Sequence, residues 1–141
     1  MDAAPTENTR PDEFFDPLDL RKCGDQWIVL ADFRFWSARL EKLIIVPKGF
    51  PTDLNSAFRW PVIYWLFGKT ADAPAAVHDF LYRQQFVTRA VADLVFRDAC
   101  AVARPPEPTW RRWAMWAGLA MFGWKAWRED RNLGPFDYTK E

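Results

Sequence analysis

The order of hydrophobic and polar positions divides the chain into a strand-forming part and a helical part. Between Gln26 and Trp36, apolar side chains alternate with polar ones, which is the period of a half-buried β-strand. The face that the apolar positions share consists of Trp27, Val29, Ala31, Phe33 and Phe35. A second apolar run over 43–46 stops at Pro47, and the intervening residues 37–42 suit a hairpin connection. The pattern therefore predicts a small β-hairpin.

Helical spacing begins after the turn that follows this hairpin. Four helices are predicted, over 61–68, 72–82, 88–104 and 109–134. Pro61 suits a first helical position and Gly68 a helix end, while Thr88 and Thr109 are good N-caps for the last two helices. We expect an α+β fold: a small N-terminal β-hairpin, then a mostly helical body of about four helices with two antiparallel core helices.

The length of 141 residues is that of one ordinary domain. Residues 1–22 are acidic, contain several prolines and show no clear period, so they are interpreted as an arm that is ordered only where its few apolar side chains find a surface. Residues 23–134 are predicted to form a single globular domain, and 135–141 a C-terminal tail. A content of 50% hydrophobic and 17% aromatic residues argues against a disordered chain.

Charge and composition exclude several classes of function. The formal net charge is zero, which argues against a nucleic-acid binder that works by phosphate attraction. A single histidine excludes a histidine-rich transition-metal site, and two cysteines do not make a disulfide framework. We find no signal-peptide pattern. The longest apolar stretch, Trp113 to Trp127, is shorter than the roughly 20 residues that a membrane span needs.

The segment around His78 holds the clearest candidate chemistry. His78 and Tyr82 are one helical turn apart and share a face of an apolar helix, and Asp93 lies in the next apolar helix. A histidine and an aspartate on two packed helices make an oriented general base, because the carboxylate fixes the imidazole tautomer. The Tyr82 hydroxyl is placed to donate to the same carboxylate. A lone histidine in such a helix is more often a satisfied core residue, and this structural alternative stays open.

The two motifs resemble the catalytic core of the phospholipase A2 superfamily, its bacterial branch in particular. They are His78-Asp79-x-x-Tyr82 and Ala92-Asp93-x-x-Phe96, and the resemblance covers about residues 72–100. It implies that His78 activates a water molecule, that Asp93 orients His78, and that Asp79 binds calcium together with loop carbonyls. In place of the usual glycine-rich calcium loop, the chain has Gly49-Phe50-Pro51-Thr52-Asp53. Asp53 is the candidate second carboxylate of that calcium site, since calcium prefers six to eight oxygen ligands.

A second resemblance covers more of the chain, roughly residues 43–103. The same His-Asp and Ala-Asp motifs, preceded by Val46-Pro47-x-Gly49-Phe50-x-Thr52-Asp53-Leu54-x-Ser56 and Arg59, look like a phage and prophage family, domain of unknown function 1353. This resemblance implies a phage context, with the protein in the bacterial host cytoplasm or the virion. For Arg59 a structural role is favoured, such as a salt bridge with Asp53 that pins the loop, while Asp53 stays open between that bridge, a cap of the turn over 55–59 and the calcium site. Ser56 has no second histidine to activate it, so a serine nucleophile is rejected.

Three functional hypotheses remain open at this point. The first is a calcium-dependent phospholipid esterase that acts at a membrane surface. The second is a non-enzymatic tail or neck component of a virion, which binds other virion proteins and keeps the polar core for structure. The third is a different hydrolase, for instance a cell-wall hydrolase, with Asp53, His78 and Asp79 around a metal.

Tryptophans concentrate in the last predicted helix. They are Trp110, Trp113, Trp116, Trp124 and Trp127. They do not fit one narrow stripe, so a central core helix is the favoured interpretation. Two alternatives are a segment at a lipid surface, with its arginines and Lys125 near the headgroups, and a protein interface.

Overall fold

Short antiparallel strands occupy the first part of the described chain and helices the second. The computed structural model describes residues 10–52, 72–103 and 106–137. The strands are β1 (Glu13–Phe14), β2 (Leu20–Cys23), β3 (Gln26–Val29), β4 (Phe33–Ser37), β5 (Lys42–Val46) and β6 (Pro51–Thr52); the helices are α1 (Asp72–Gln84), α2 (Arg89–Ala101), α3 (Thr109–Phe122) and α4 (Trp124–Leu133). The α+β class is confirmed. The helix predicted over 61–68 lies outside the described residues, as do Asp53, Ser56 and Arg59.

The strands form two three-stranded antiparallel sheets, in the orders β1-β4-β5 and β2-β3-β6. The predicted hairpin is confirmed, because β4 pairs with β5 from Phe33 opposite Val46 to Ser37 opposite Lys42. The single strand predicted from Gln26 to Trp36 is wrong. It breaks after Val29, and its two halves belong to different sheets.

The break between β3 and β4 coincides with hydrogen bonds to two other segments of the chain. The backbone N–H of Leu30 donates to the carbonyl of Asp19 at 2.9 Å, so this residue is held by the segment before β2. The carboxylate of Asp32 accepts a hydrogen bond from the backbone of Lys48 at 2.8 Å. The first bond extends the pairing of β2 with β3 by one residue, whereas the second ties Asp32 to the segment after β5, so the chain leaves one sheet and enters the other between these two residues. An alternating pattern alone carries no sign of this change of sheet.

The described part of the predicted arm contributes β1 and β2 to the sheets. The ring of Phe14 lies 5.5 Å from that of Phe33 and 4.6 Å from that of Phe35, measured between centroids. The Asp16 carboxylate accepts three hydrogen bonds from Arg34, each of 2.9 Å, from the backbone N–H and from two guanidinium nitrogens. From residue 10 onward the arm is therefore packed against the globular part.

Helices α1 and α2 form an antiparallel pair that supplies half of the core. Four residues connect them, and the side chain of Thr88 accepts a hydrogen bond from the backbone of Val91, which confirms the predicted N-cap. Helix α1 packs between α2, strands β5 and β6, and α4. The largest buried side chains come from both halves of the chain: Val29, Phe33, Phe35, Ile44, Val46, Phe50, Val77, Leu81, Val95 and Phe96.

The long last helix is interrupted at Gly123, which corrects the prediction of one helix over 109–134. Gly123 has φ −72° and ψ −12°, a departure from ideal helix, yet its carbonyl still accepts from Trp127 at 3.0 Å. The helix therefore bends rather than ends. The predicted cap is also wrong: Pro108 occupies the N-cap position, and the Thr109 hydroxyl accepts from the Arg112 guanidinium at 2.7 Å instead.

The interpretation of this last segment as a central core helix is wrong as well. In α3 only Met115 and Leu119 are buried, and α4 has no buried residue. Helix α3 packs on α2 with one face and is exposed on the opposite one. In the described ranges, no helix is long and apolar enough to cross a membrane.

Asp130 of α4 generates a prediction on stability. Partial burial raises its pKa from 3.8 to about 6, in spite of the lowering effect of the Arg83 guanidinium. Between about pH 4 and pH 6 the folded chain therefore holds a proton that the unfolded chain has released, so this group makes the free energy of unfolding fall as pH rises. In Asp130→Asn this contribution disappears, and stability should decline less over that interval. Urea unfolding at several pH values measures the slope.

The exposed Asp25→Asn in the β2–β3 turn is the matched control, and its slope should equal that of the wild type. Equal slopes for wild type and Asp130→Asn would refute the assignment to Asp130.

Candidate active site on the α1–α2 pair

The only histidine of the chain meets a buried aspartate across the two antiparallel helices. Nε2 of His78 on α1 lies 2.8 Å from Oδ1 of Asp93 on α2. The two residues are 3% and 1% exposed, so the pair is shielded from water. It is placed there because both helices bury the faces that carry it, through neighbours such as Val77, Leu81 and Ala92. The predicted His-Asp contact is present.

Tyr82 adds a second donor to the same carboxylate oxygen. Its hydroxyl donates to Oδ1 of Asp93 at 2.7 Å. Burial, together with the negative charge of Asp93, raises the pKa of Tyr82 far above its ordinary value. The phenol therefore keeps its proton and acts as a neutral hydrogen-bond donor, which is the role that the sequence predicted for it.

Arg89 completes the surroundings of the carboxylate. Its Nη1 is 3.6 Å from Oδ2 of Asp93, one helical turn away. The same nitrogen donates to the carbonyls of Leu119 and Ala120 in the last turn of α3, at 3.1 Å and 3.3 Å. A cation at the C-terminal end of a helix is favoured by the helix dipole. Arg89 thus connects the buried carboxylate to a third helix.

The hydrogen bonds of Asp93 determine which nitrogen of His78 is available for chemistry. A carboxylate only accepts hydrogen bonds, so Nε2 carries the proton that it shares with Asp93 and the lone pair of a neutral ring lies on Nδ1. Nδ1 is the ring nitrogen that does not face Asp93. The ring packs between aromatic neighbours, with centroid distances of 4.0 Å to Tyr82 and 5.4 Å to Phe96. The arrangement is that of an oriented base.

Asp79 points away from the His-Asp pair. Its position follows His78 by one residue, about 100° around the helix. Its carboxylate accepts a hydrogen bond from the buried hydroxyl of Thr52, which ties α1 to β6. The structure therefore brings together His78, Tyr82 and Asp93, and places Asp79 on a separate contact.

The described residues do not by themselves make a calcium site. No group of three or more His, Cys, Asp or Glu side chains suited to a metal is found in the parts of the chain that the structure describes. Asp79 supplies one carboxylate, whereas calcium takes six to eight oxygens. Asp53, the predicted second carboxylate, lies outside these residues. Calcium therefore stays a prediction from the resemblance.

Two residues of the site were missed by sequence reasoning. Arg89 stands four residues before Asp93, a spacing that could have identified it as an ion-pair partner. Gly123 gave no such signal. A Cβ atom added at Gly123 would lie 2.5 Å from the Tyr82 hydroxyl oxygen. The bend between α3 and α4 is thus packed directly on the site, with room only for glycine.

This contact predicts the effect of Gly123→Ala. The methyl group should push the Tyr82 hydroxyl away from Asp93 and lower the free energy of unfolding by about 1–3 kcal/mol, as overpacking does. Chemical denaturation measures the loss. A Tyr82→Phe background removes the contact with the hydroxyl but keeps a 2.6 Å contact with the Leu119 carbonyl oxygen, so the same substitution should cost less there but still destabilise. An equal cost in both backgrounds would show that the Tyr82 contact is not its cause.

Comparisons with known proteins place the chain in a family without a known activity. No curated protein and no solved structure matches it. One family model matches residues 27–119, a segment that runs from β3 into α3 and includes His78, Tyr82 and Asp93. The chain therefore belongs to a family of proteins of unknown function, DUF1353.

Proposed function

We propose that this protein is an ester hydrolase of phospholipase A2 type, in which His78 is the general base. One observation carries the proposal: the buried hydrogen bond from Nε2 of His78 to Asp93, which orients the imidazole and directs its lone pair to Nδ1. A hydrolytic site needs an oriented general base, and these two side chains supply one. His78 and Asp93 are then the catalytic base and its positioning residue.

The proposed reaction starts from a neutral His78, whose proton lies on Nε2 and whose lone pair lies on Nδ1. His78 takes a proton at Nδ1 from a water molecule whose oxygen attacks the ester carbonyl carbon, and a C–O bond forms. The imidazolium is stabilised by the Asp93 carboxylate, which also accepts from Tyr82. When the tetrahedral intermediate collapses, the bond to the leaving oxygen breaks and the imidazolium gives its proton to that oxygen. The products are an acid and an alcohol, and His78 is neutral again.

The substrate class rests on the resemblance of the two motifs to the phospholipase A2 superfamily. That resemblance makes a phospholipid ester the first substrate to test. It also carries the calcium prediction, in which Asp79 would be a ligand and a bound calcium would supply Lewis-acid polarisation of the ester carbonyl. A phage or prophage origin is part of the same proposal, because it comes from the resemblance to a phage family.

The decisive variant is His78→Gln. A glutamine amide reaches about as far as Nε2 and can still donate to Asp93, but it has no basic nitrogen in the place of Nδ1. We expect hydrolysis of phosphatidylcholine vesicles to fall by about 100-fold or more, the usual effect of losing a general base, while the unfolding temperature changes little. Release of fatty acid and lysophospholipid, followed by mass spectrometry, measures the reaction.

Tyr82→Phe is the matched control, because it removes a hydrogen bond to Asp93 and leaves the base in place. Its activity should exceed that of His78→Gln. If the wild type hydrolyses no phospholipid with or without calcium, or if His78→Gln remains as active as the wild type, the proposal is wrong.

The calcium prediction is tested separately by thermal unfolding. Millimolar calcium should raise the unfolding temperature of the wild type, since a ligand that binds only the folded state stabilises it. The rise should be absent in Asp79→Asn and retained in Asp25→Asn, whose carboxylate lies in an exposed turn. No rise in the wild type would remove calcium from the proposal while leaving the role of His78 to the hydrolysis assay.

A second candidate function is a non-enzymatic virion component, in the tail or neck. The observation that favours it is the depth of the pair: the side chain of His78 is 4% exposed and that of Asp93 2%. A polar network so buried also serves to fix the packing of two helices. This candidate predicts an inactive wild type, tolerance of His78→Gln in assembly, and a stable complex with other virion proteins.

A further inference from the structure

Exposed apolar side chains line one face of α3 and of the first residue of α4. At about 100° per residue, Trp110, Trp113, Met121 and Trp124 fall within one sector of the helix, on the side opposite the buried Met115 and Leu119. We call these four residues the tryptophan stripe. Small residues, Ala117 and Ala120, occupy the positions between them. The stripe is therefore continuous over the length of α3.

The stripe is unusually exposed for side chains of this kind. Trp110 is 62%, Trp113 51%, Met121 65% and Trp124 49% exposed. Single exposed apolar residues are ordinary, whereas contiguous apolar patches on a protein surface mark contact with a protein or a membrane.

Positive charge continues the same face beyond the stripe. Helix α3 contains no acidic residue, and its two arginines lie off the stripe, where Arg111 is 3.4 Å from the Glu107 carboxylate. In α4, Arg128 and Arg131 lie at the angles of the stripe, whereas Glu129 and Asp130 lie on other faces. The guanidinium of Arg128 sits 4.9 Å from the ring centroid of Trp124, directly beside the apolar part. The face thus joins tryptophans to cations and keeps the acidic groups away.

We propose that this face docks the protein on the surface of an anionic phospholipid bilayer. Tryptophan rings favour the headgroup level of a membrane, and arginines beside them meet lipid phosphates. The charge pattern argues for this occupant over a second copy of the chain. A second copy related by a two-fold axis would bring stripe to stripe, and an antiparallel arrangement would lay the basic end of each copy over the apolar end of the other. An anionic bilayer offers apolar surface to the stripe and phosphate groups to the basic end at the same time.

The proposal goes beyond the proposed hydrolysis and does not require it. The stripe lies on α3 and α4, whereas the candidate base lies on α1. Binding to vesicles is measured without any catalytic readout, so docking and hydrolysis can each fail alone. His78→Gln should bind vesicles as tightly as the wild type.

The test compares the full chain and its variants on two kinds of vesicle, one of phosphatidylcholine alone and one that also contains phosphatidylglycerol. Sedimentation with vesicles gives the affinity, and a blue shift of tryptophan emission reports burial of the rings. The wild type should bind the anionic vesicles more tightly, and added salt should weaken that preference. The double variant Trp110→Gln/Met121→Gln should lose about tenfold or more in affinity for both vesicles.

Basic and apolar contributions are separable. Arg128→Gln should lose about fivefold on the anionic vesicles and little on the neutral ones, the effect of about one charge near the surface. Leu133→Gln is the matched control, since Leu133 is 66% exposed at the end of α4 but lies off the stripe. Its affinity should equal that of the wild type, and circular dichroism checks that every variant is folded.

Three results would overturn the proposal. The first is a wild type that binds neither vesicle. The second is an affinity that the stripe variants leave unchanged. The third is a dimer in sedimentation velocity that dissociates in Trp110→Gln/Met121→Gln while vesicles bind no variant, which would assign the stripe to a second copy.

Discussion

The buried carboxylate of Asp93 is the constraint on which the helical half of the structure depends. A charge with 1% of its residue exposed costs several kcal/mol unless it is hydrogen-bonded, so the fold must bring donors to it. Two donors come from α1, His78 and Tyr82, and the guanidinium of Arg89 approaches from its own helix. Arg89 then donates to carbonyls at the end of α3. Three helices are thus held around one carboxylate, and removal of any donor leaves part of its charge unsatisfied.

This arrangement also explains the bend at Gly123. The end of α3 has to come close enough for its carbonyls to accept from Arg89, and the Tyr82 hydroxyl then occupies the space where a Cβ of residue 123 would be. A glycine at this point allows the close approach, and α4 then packs on α1. There the ring of Trp127 packs on that of Tyr82 with centroids 5.1 Å apart, and its carbonyl accepts from Gln85. The hydrogen bonds around Asp93 and the course of α3 and α4 therefore depend on each other.

Sequence reasoning identified what local pattern and chemistry determine. The pair of His78 and Asp93 was predictable because two ionisable residues in apolar helices need each other, and the Thr88 cap because its side chain acts on the adjacent turn. The change of sheet after Val29 and the bend at Gly123 were not predictable in this way, since each depends on contacts with distant segments. Counting apolar residues placed the tryptophans of α3 in the core for a similar reason. Composition shows that a helix is apolar on several faces, but not that only one of them has a neighbour.

The candidate site and the tryptophan stripe use opposite sides of the same helical layer. Arg89 joins the two, because the carbonyls to which it donates include that of Ala120, which lies between residues of the stripe. A structural network needs only that Asp93 be satisfied, and Tyr82, Arg89 and Nε2 of His78 already do this. Packing therefore gives no use to the second nitrogen of the imidazole. A leucine or methionine at this position would fill a similar volume but would remove the Nε2 donor to Asp93, so the structural role already requires a polar side chain here. The proposed general base would give this second nitrogen a role, because Nδ1 would then take the proton from a water molecule.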